Sequence, residues 1–150
     1  MDLGLFSDMV DEGAIQGESL PPSSPNVEIC SHGGNVAIRG LNRLSENYGA
    51  NLSNITLVTA GTPIRPDFRI GQNTNLNAHL NIYSKRDFIQ RLGGVIVGFG
   101  GRRADGAINL NITEYVEGYW RRSHSDMHSN IELWNSHILA KVRREIPCQN

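Results

Sequence analysis

Pro25-Asn26-Val27-Glu28-Ile29-Cys30-Ser31-His32-Gly33-Gly34-Asn35-Val36-Ala37-Ile38 is the stretch that decides the fold. It predicts a short strand ending at Cys30, then a serine, a glycine pair and a helix. A serine in such a strand–turn–helix sits in the setting of a nucleophile elbow, a tight turn that holds the serine oxygen proud of a sheet. Strand and helix backbones approach closely there, so nearby side chains must be small, and Gly33 meets that need two residues after Ser31. The following helix aims its free amides and positive dipole end at the serine, which favours a developing oxyanion. The backbone amide of His32 is the donor this stretch offers.

Working outward, Met1 to Ser24 has weak periodicity and ends in Leu20-Pro21-Pro22-Ser23-Ser24, which predicts a poorly ordered leader before a domain spanning 25–150. Gly34 to Tyr48 carries Val36, Ala37, Gly40, Leu41 and Leu44 at helical spacing, with Gly49 as the residue that ends the helix. Asn54 to Thr59 is β-branched and predicts a strand. Arg65 to Leu76 has no period and reads as loop. Ala78 to Tyr83 predicts a third strand, Phe88 to Leu92 a short helix, and Gly93 to Asp105 a glycine-rich excursion. Ala107 to Val116 predicts a fourth strand, and Ser123 to Ser129 a polar, histidine-bearing loop. Ser129-Asn130-Ile131-Glu132 has capping-box spacing and opens a helix to about Arg144, with Ile131, Trp134, Ile138 and Val142 on one face. Strands alternating with helices and loops predict an α/β fold with a mostly parallel sheet and flanking helices. In such sheets the site lies at the carboxyl ends of the strands.

Composition narrows the function classes. The chain has 150 residues and a net charge of -1, so it fits one domain and has no global field to recruit nucleic acid. No apolar run approaches the roughly 20 residues of a membrane-spanning helix, and the acidic N-terminus is a poor signal peptide. Cys30 and Cys148 have no metal-type spacing, and a disulfide between them is not expected. A reduced, cytoplasmic setting is the default expectation.

An acyl-transfer serine needs a base to take its proton and an acid to orient the base. The chain offers all three in order, each just past a strand: Ser31, then Asp87, then His124. Asp67 and Asp105 are lesser rivals for the acid. Asp87 could instead pair with Arg86 or cap the short helix after it. His128 is the alternate base. His124 and His128 are also spaced i, i+4, which on a helix would give two metal ligands on one face. His79 and His137 read as structural. Cys30, adjacent to the serine on a strand, points to the other face and is a weak alternative nucleophile.

Ser31-His32-Gly33-Gly34-Asn35-Val36-Ala37 resembles the elbow of lipase- and esterase-like members of the α/β-hydrolase superfamily. The resemblance continues through Gly61-Thr62-Pro63, through Tyr83-Ser84-Lys85-Arg86-Asp87 with Gln90 and Gly93-Gly94, and through His124-Ser125-Asp126-Met127-His128 before Trp134. It covers about Asn26 to Pro147 and implies a partial α/β-hydrolase fold that starts at the elbow strand. By resemblance the chain is a truncated serine hydrolase acting on a small-molecule or lipid-like carboxylic ester. Ser31 is then the nucleophile, His124 the base, Asp87 its orienting acid and His32 an oxyanion amide, and no cofactor is implied. The family has a glycine two positions before the serine, where this chain has Ile29, and several strands before the elbow. Those departures carry the alternative reading, an inactive hydrolase remnant serving only in packing or interaction. A third reading is a metal-binding module built on His124 and His128. With no strand expected before it, the elbow strand is also expected to expose an edge through which copies self-associate.

Overall fold

The computed structural model describes the backbone of residues 26–30 and residues 33–65, 68–92, 101–118 and 121–145. The leader expected over 1–24, Ser31, His32, Asp67 and Cys148 lie outside the described residues, as does most of the glycine-rich excursion. Among the described residues four strands form one sheet in the order β1 (Asn26–Cys30), β2 (Thr56–Ala60), β3 (Ala78–Tyr83), β4 (Ile108–Asn111). Every pairing is parallel, with Cys30 beside Ala60 and Ala60 beside Ile82. The α/β class and the parallel sheet with flanking helices are therefore present.

The helix α1 (Gly33–Tyr48) links β1 to β2 and buries Gly34, Asn35, Ala37, Ile38 and Leu41. Val36, expected on the inner stripe, is 62% exposed, because the buried stripe runs through Asn35 and Ile38 instead. The helix ends at Gly49, whose φ of 60° needs no Cβ penalty. There Gly49 N–H donates to the Ser45 carbonyl at 3.0 Å and Ala50 N–H to that of Leu44 at 3.1 Å.

The central strand β2 is buried along its whole length, and its side chains alternate between two cores. Leu57 faces α1, in a cluster with Ala37, Ile38, Leu41, Leu52, Ile64 and Ala104. Val58 and Ala60 face the other way and join Leu80, Ile82 and Leu110 with the C-terminal helical layer. That layer contains α3 (Arg121–Ser129), α4 (Ile131–Leu133), a π-turn over Trp134–Ile138, and α5 (Leu139–Glu145). Met127, Leu133, Trp134, Ile138 and Val142 are its buried contacts.

The α1 side of the sheet also carries a buried polar row. His79 and Thr59 are joined at 3.1 Å, the Thr59 hydroxyl donates to Asn81 at 3.2 Å, and the Asn81 amide donates to Asn109 at 2.8 Å. Asn109 then donates to the Ala104 and Ala107 carbonyls and shapes the turn before β4. Burial pushes the His79 imidazole down to about 4, so it is neutral and structural, as expected.

Three sequence expectations are corrected. Ser123 to Ser129 is the helix α3, not a loop; its buried face is Ser123, His124 and Met127, too polar to register as an apolar stripe. Asn130, not Ser129, caps α4, accepting from Leu133 N–H at 3.0 Å, while the Ser129 hydroxyl donates back to the Ser125 carbonyl at 2.9 Å. The fourth strand stops at Asn111, whose side chain accepts the Thr113 amide at 3.1 Å and turns the chain out of the sheet.

Candidate active site

The carboxyl ends of β2 and β3 and the buried face of α3 converge on one cluster. After β3 the chain makes a tight turn over Ser84–Asp87. Asp87 N–H donates to the Ser84 carbonyl at 3.2 Å, and Arg86 N–H to the Ser84 hydroxyl at 3.1 Å. Lys85 N–H donates to Thr113 at 2.8 Å, and the Arg86 guanidinium to the Val116 carbonyl at 2.8 Å. Buried Ser123 donates to Ser84 at 3.3 Å and seats α3 on this turn.

The Asp87 side chain is fully buried, and its two oxygens have separate tasks. Oδ1 accepts Gln90 N–H at 2.9 Å, the N-cap bond of α2 (Phe88–Leu92). Oδ2 meets His124 Nδ1 at 2.8 Å. The same carboxylate thus caps α2 through one oxygen and contacts His124 through the other. The Arg102 guanidinium forks onto the Asp87 backbone carbonyl at 3.3 and 3.2 Å. Nothing local in the sequence singles out Arg102, which lies 15 residues away and reaches the turn through the fold. Asp105, a rival acid, is an exposed partner of Arg69 at 3.2 Å.

On α3, His124 and His128 share a face, as i, i+4 spacing dictates. Their Nε2 atoms are 3.1 Å apart and their rings meet edge to face with centroids at 4.4 Å. Burial first, then the neighbouring His124 ring, pushes His128 down to about 4 against a smaller opposing pull from Asp87. Gly61, at the end of β2, has a φ of +60°. A side chain there would meet His128 Cε1 and Nε2 at 3.0 Å and His124 Cε1 at 3.3 Å. The imidazole pair therefore packs against bare backbone.

The first turn of α1 is held to the same strand end. Gly34 packs so tightly on buried Thr62 that a Cβ would lie 2.2 Å from its Oγ1. Asn35 Nδ2 donates to the Pro63 carbonyl at 3.0 Å, and Gln90 Nε2 to the Thr62 carbonyl at 2.9 Å. Ser31 and His32, which lead into this turn, lie outside the described residues, so the Asp87–His124 contact is described and the expected nucleophile is not.

Among the described residues no group of three or more His, Cys, Asp or Glu is arranged to hold a metal ion. No described helix is long and apolar enough to cross a membrane. His137 stacks on Tyr115 with ring centroids at 4.2 Å, away from the cluster. A cavity of about 250 Å³, lined by Ile38, Arg39, Asn42 and Phe68, shares none of the cluster's residues. The chain matches no family model, no curated protein and no solved structure.

Proposed function

We propose that the chain is a serine hydrolase of carboxylic esters, with Ser31 as nucleophile, His124 as base and Asp87 as the acid that orients it. The observation that carries this reading is the buried Asp87–His124 contact of 2.8 Å just past the carboxyl end of β3. A carboxylate that receives Nδ1–H holds a neutral imidazole in the tautomer whose Nε2 lone pair can accept a proton. The likeness of the Ser31 stretch to the lipase and esterase elbow supports the nucleophile.

The chemistry follows from those roles. Nε2 of His124 takes the Ser31 hydroxyl proton as Oγ bonds to the ester carbonyl carbon. The charge on the carbonyl oxygen is met by the His32 amide and the α1 dipole. The tetrahedral species then loses the alcohol, which leaves with the proton from His124. Water attacks the acyl-serine with His124 again as base, releasing the carboxylic acid and restoring Ser31. Asp87 keeps its bond to Nδ1–H throughout and stabilises the imidazolium.

A fluorophosphonate probe tests the assignment. It should label the chain at Ser31, and Ser31→Ala should abolish labelling. His124→Ala should slow labelling by orders of magnitude, and His128→Ala should not. Labelling that survives Ser31→Ala would overturn the nucleophile. A well-folded chain that takes no label would point to the inactive remnant that Ile29 suggests.

A further inference from the structure

We propose that Arg102 is a positioning residue: its guanidinium clamps the backbone carbonyl of Asp87 and so holds the Asp87 side chain against His124 Nδ1. The clamp stands on the contacts of Arg102, Asn81 and Asp87. Its consequence for catalysis rests on the serine hydrolase reading.

Every polar group of Asp87 has a partner. Its N–H donates to the Ser84 carbonyl, Oδ1 accepts Gln90 N–H, Oδ2 meets His124 Nδ1, and its carbonyl accepts Nε and Nη2 of Arg102 at 3.3 and 3.2 Å. Ser84 and Gln90 are close neighbours in sequence, so their bonds shape the turn without fixing its place on the sheet. Arg102 reaches it from elsewhere in the chain. A planar guanidinium that lends two N–H groups to one oxygen fixes direction as well as distance.

The mount behind the clamp is itself bonded into the fold. Fully buried Asn81 on β3 donates to the Arg102 carbonyl at 2.7 Å and to Asn109 at 2.8 Å. Asn109 in turn accepts Ala104 N–H at 2.8 Å and donates back to the Ala104 carbonyl at 2.9 Å. Gly101, just before Arg102, bridges to Ile64. Ala104 and Ile64 belong to the core on the α1 side of the sheet. From the other side the Ser84–Asp87 turn meets Ser123 of α3 and the carbonyl of Val116, a member of the opposite core. The turn that carries Asp87 is therefore held from both faces, and Arg102 is the α1-side grip on Asp87 itself. Burial, and then Arg91, pull the Arg102 guanidinium below its usual pKa, against the opposing pull of Asp87 and Tyr83. It remains charged at neutral pH. A lysine in its place would keep that charge but could not fork.

Hydrogen exchange reads the clamp without any need for Ser31. Two protons end on the Asp87 side chain, the Gln90 amide and His124 Nδ1–H. In Arg102→Ala both should exchange faster by about tenfold or more, the worth of one hydrogen bond from a charged donor, while the amides of β3 keep the parent's rates. Fluorophosphonate labelling should slow by roughly ten- to a hundredfold, the cost of misplacing an orienting group by up to about 1 Å. Guanidinium ion, added below the concentrations that unfold the chain, should restore both readouts in Arg102→Ala and leave the parent unchanged. Arg102→Lys should stay slow. Should Arg102→Ala not fold, Arg102→Gln keeps much of the stem, loses the fork and takes its place. Unchanged exchange at Gln90 and His124 in the folded variant, a loss of protection spread evenly over β3, or full recovery in Arg102→Lys would overturn the proposal. Faster exchange confined to Gln90 and His124, with no fluorophosphonate labelling in any form including the parent, would uphold the clamp and overturn the serine reading.

Discussion

Replacing Gly34 with alanine tests the contact that fixes the start of α1 against the end of β2. The new Cβ would lie 2.2 Å from Thr62 Oγ1, 2.7 Å from Cγ2 and 3.0 Å from Cβ, where ordinary contact begins near 3.4 Å. Thr62 is fully buried and cannot swing into solvent. Its carbonyl is held by Gln90 and that of Pro63 by Asn35, so the backbone resists retreat as well. Overpacking of this kind costs about 1–3 kcal/mol, and a clash on three atoms belongs at the upper end. Alanine returns up to about 1 kcal/mol of helix propensity, less in a first turn. The expected net loss is about 2 kcal/mol, or about 4–8 °C in Tm for a chain of this size. Thermal and urea unfolding followed by circular dichroism would measure it. Thr62→Ala removes the two nearest atoms, including a hydroxyl oxygen that is buried without a partner, so alone it should shift stability by under about 1 kcal/mol. In the double variant at least about 1 kcal/mol of the Gly34→Ala loss should return as coupling. A neutral Gly34→Ala, or strict additivity with Thr62→Ala, would refute the packing described for this turn.

Asp87→Asn keeps an oxygen to cap α2 but turns an amide toward His124 Nδ1, forcing the tautomer that cannot act as base. Fluorophosphonate labelling should fall about 10⁴-fold while Tm drops by only a few degrees, and a loss under tenfold would remove Asp87 from the site. Stability should also fall in acid. His79 titrates near 4 in the native state against an ordinary 6.5, so between those values the unfolded chain binds protons that the folded chain refuses. The loss accrues as pH drops from 6.5 to 4, reaches on the order of 3 kcal/mol, and is absent above that window. His128 adds in the same direction over the same range. Urea midpoints across pH would show the slope, and His79→Gln should flatten it. Finally, among the described residues β1 pairs with a strand on one side only. Light scattering should detect concentration-dependent association, and a strict monomer at all concentrations would exclude self-association through that edge.

Much of the fold is local and was legible in the chain. β3 and α2 fall over the residues expected of them, Ala78–Tyr83 and Phe88–Leu92, and Gly49 ends α1 because few other residues tolerate its backbone angle. The run of strand, small turn and helix around Ser31, with strands and helices alternating after it, implied a parallel sheet with its site at the strand ends. Asp87 and His124 could be named as partners from chain order and resemblance, but their contact spans 37 residues and no spacing rule sets it. Whether Ser123 to Ser129 coils depended on what covers it, because its inner face is serine and histidine and only the packed layer makes that face a buried one. The same packing decided that His128 meets His124 nitrogen to nitrogen, that Gly61 backs both rings, and that Arg102 holds the Asp87 carbonyl. Sequence periodicity reports which residues shun water. Polar side chains buried against one another leave no such period, so their pairing was settled only when the tertiary structure brought distant strand ends together.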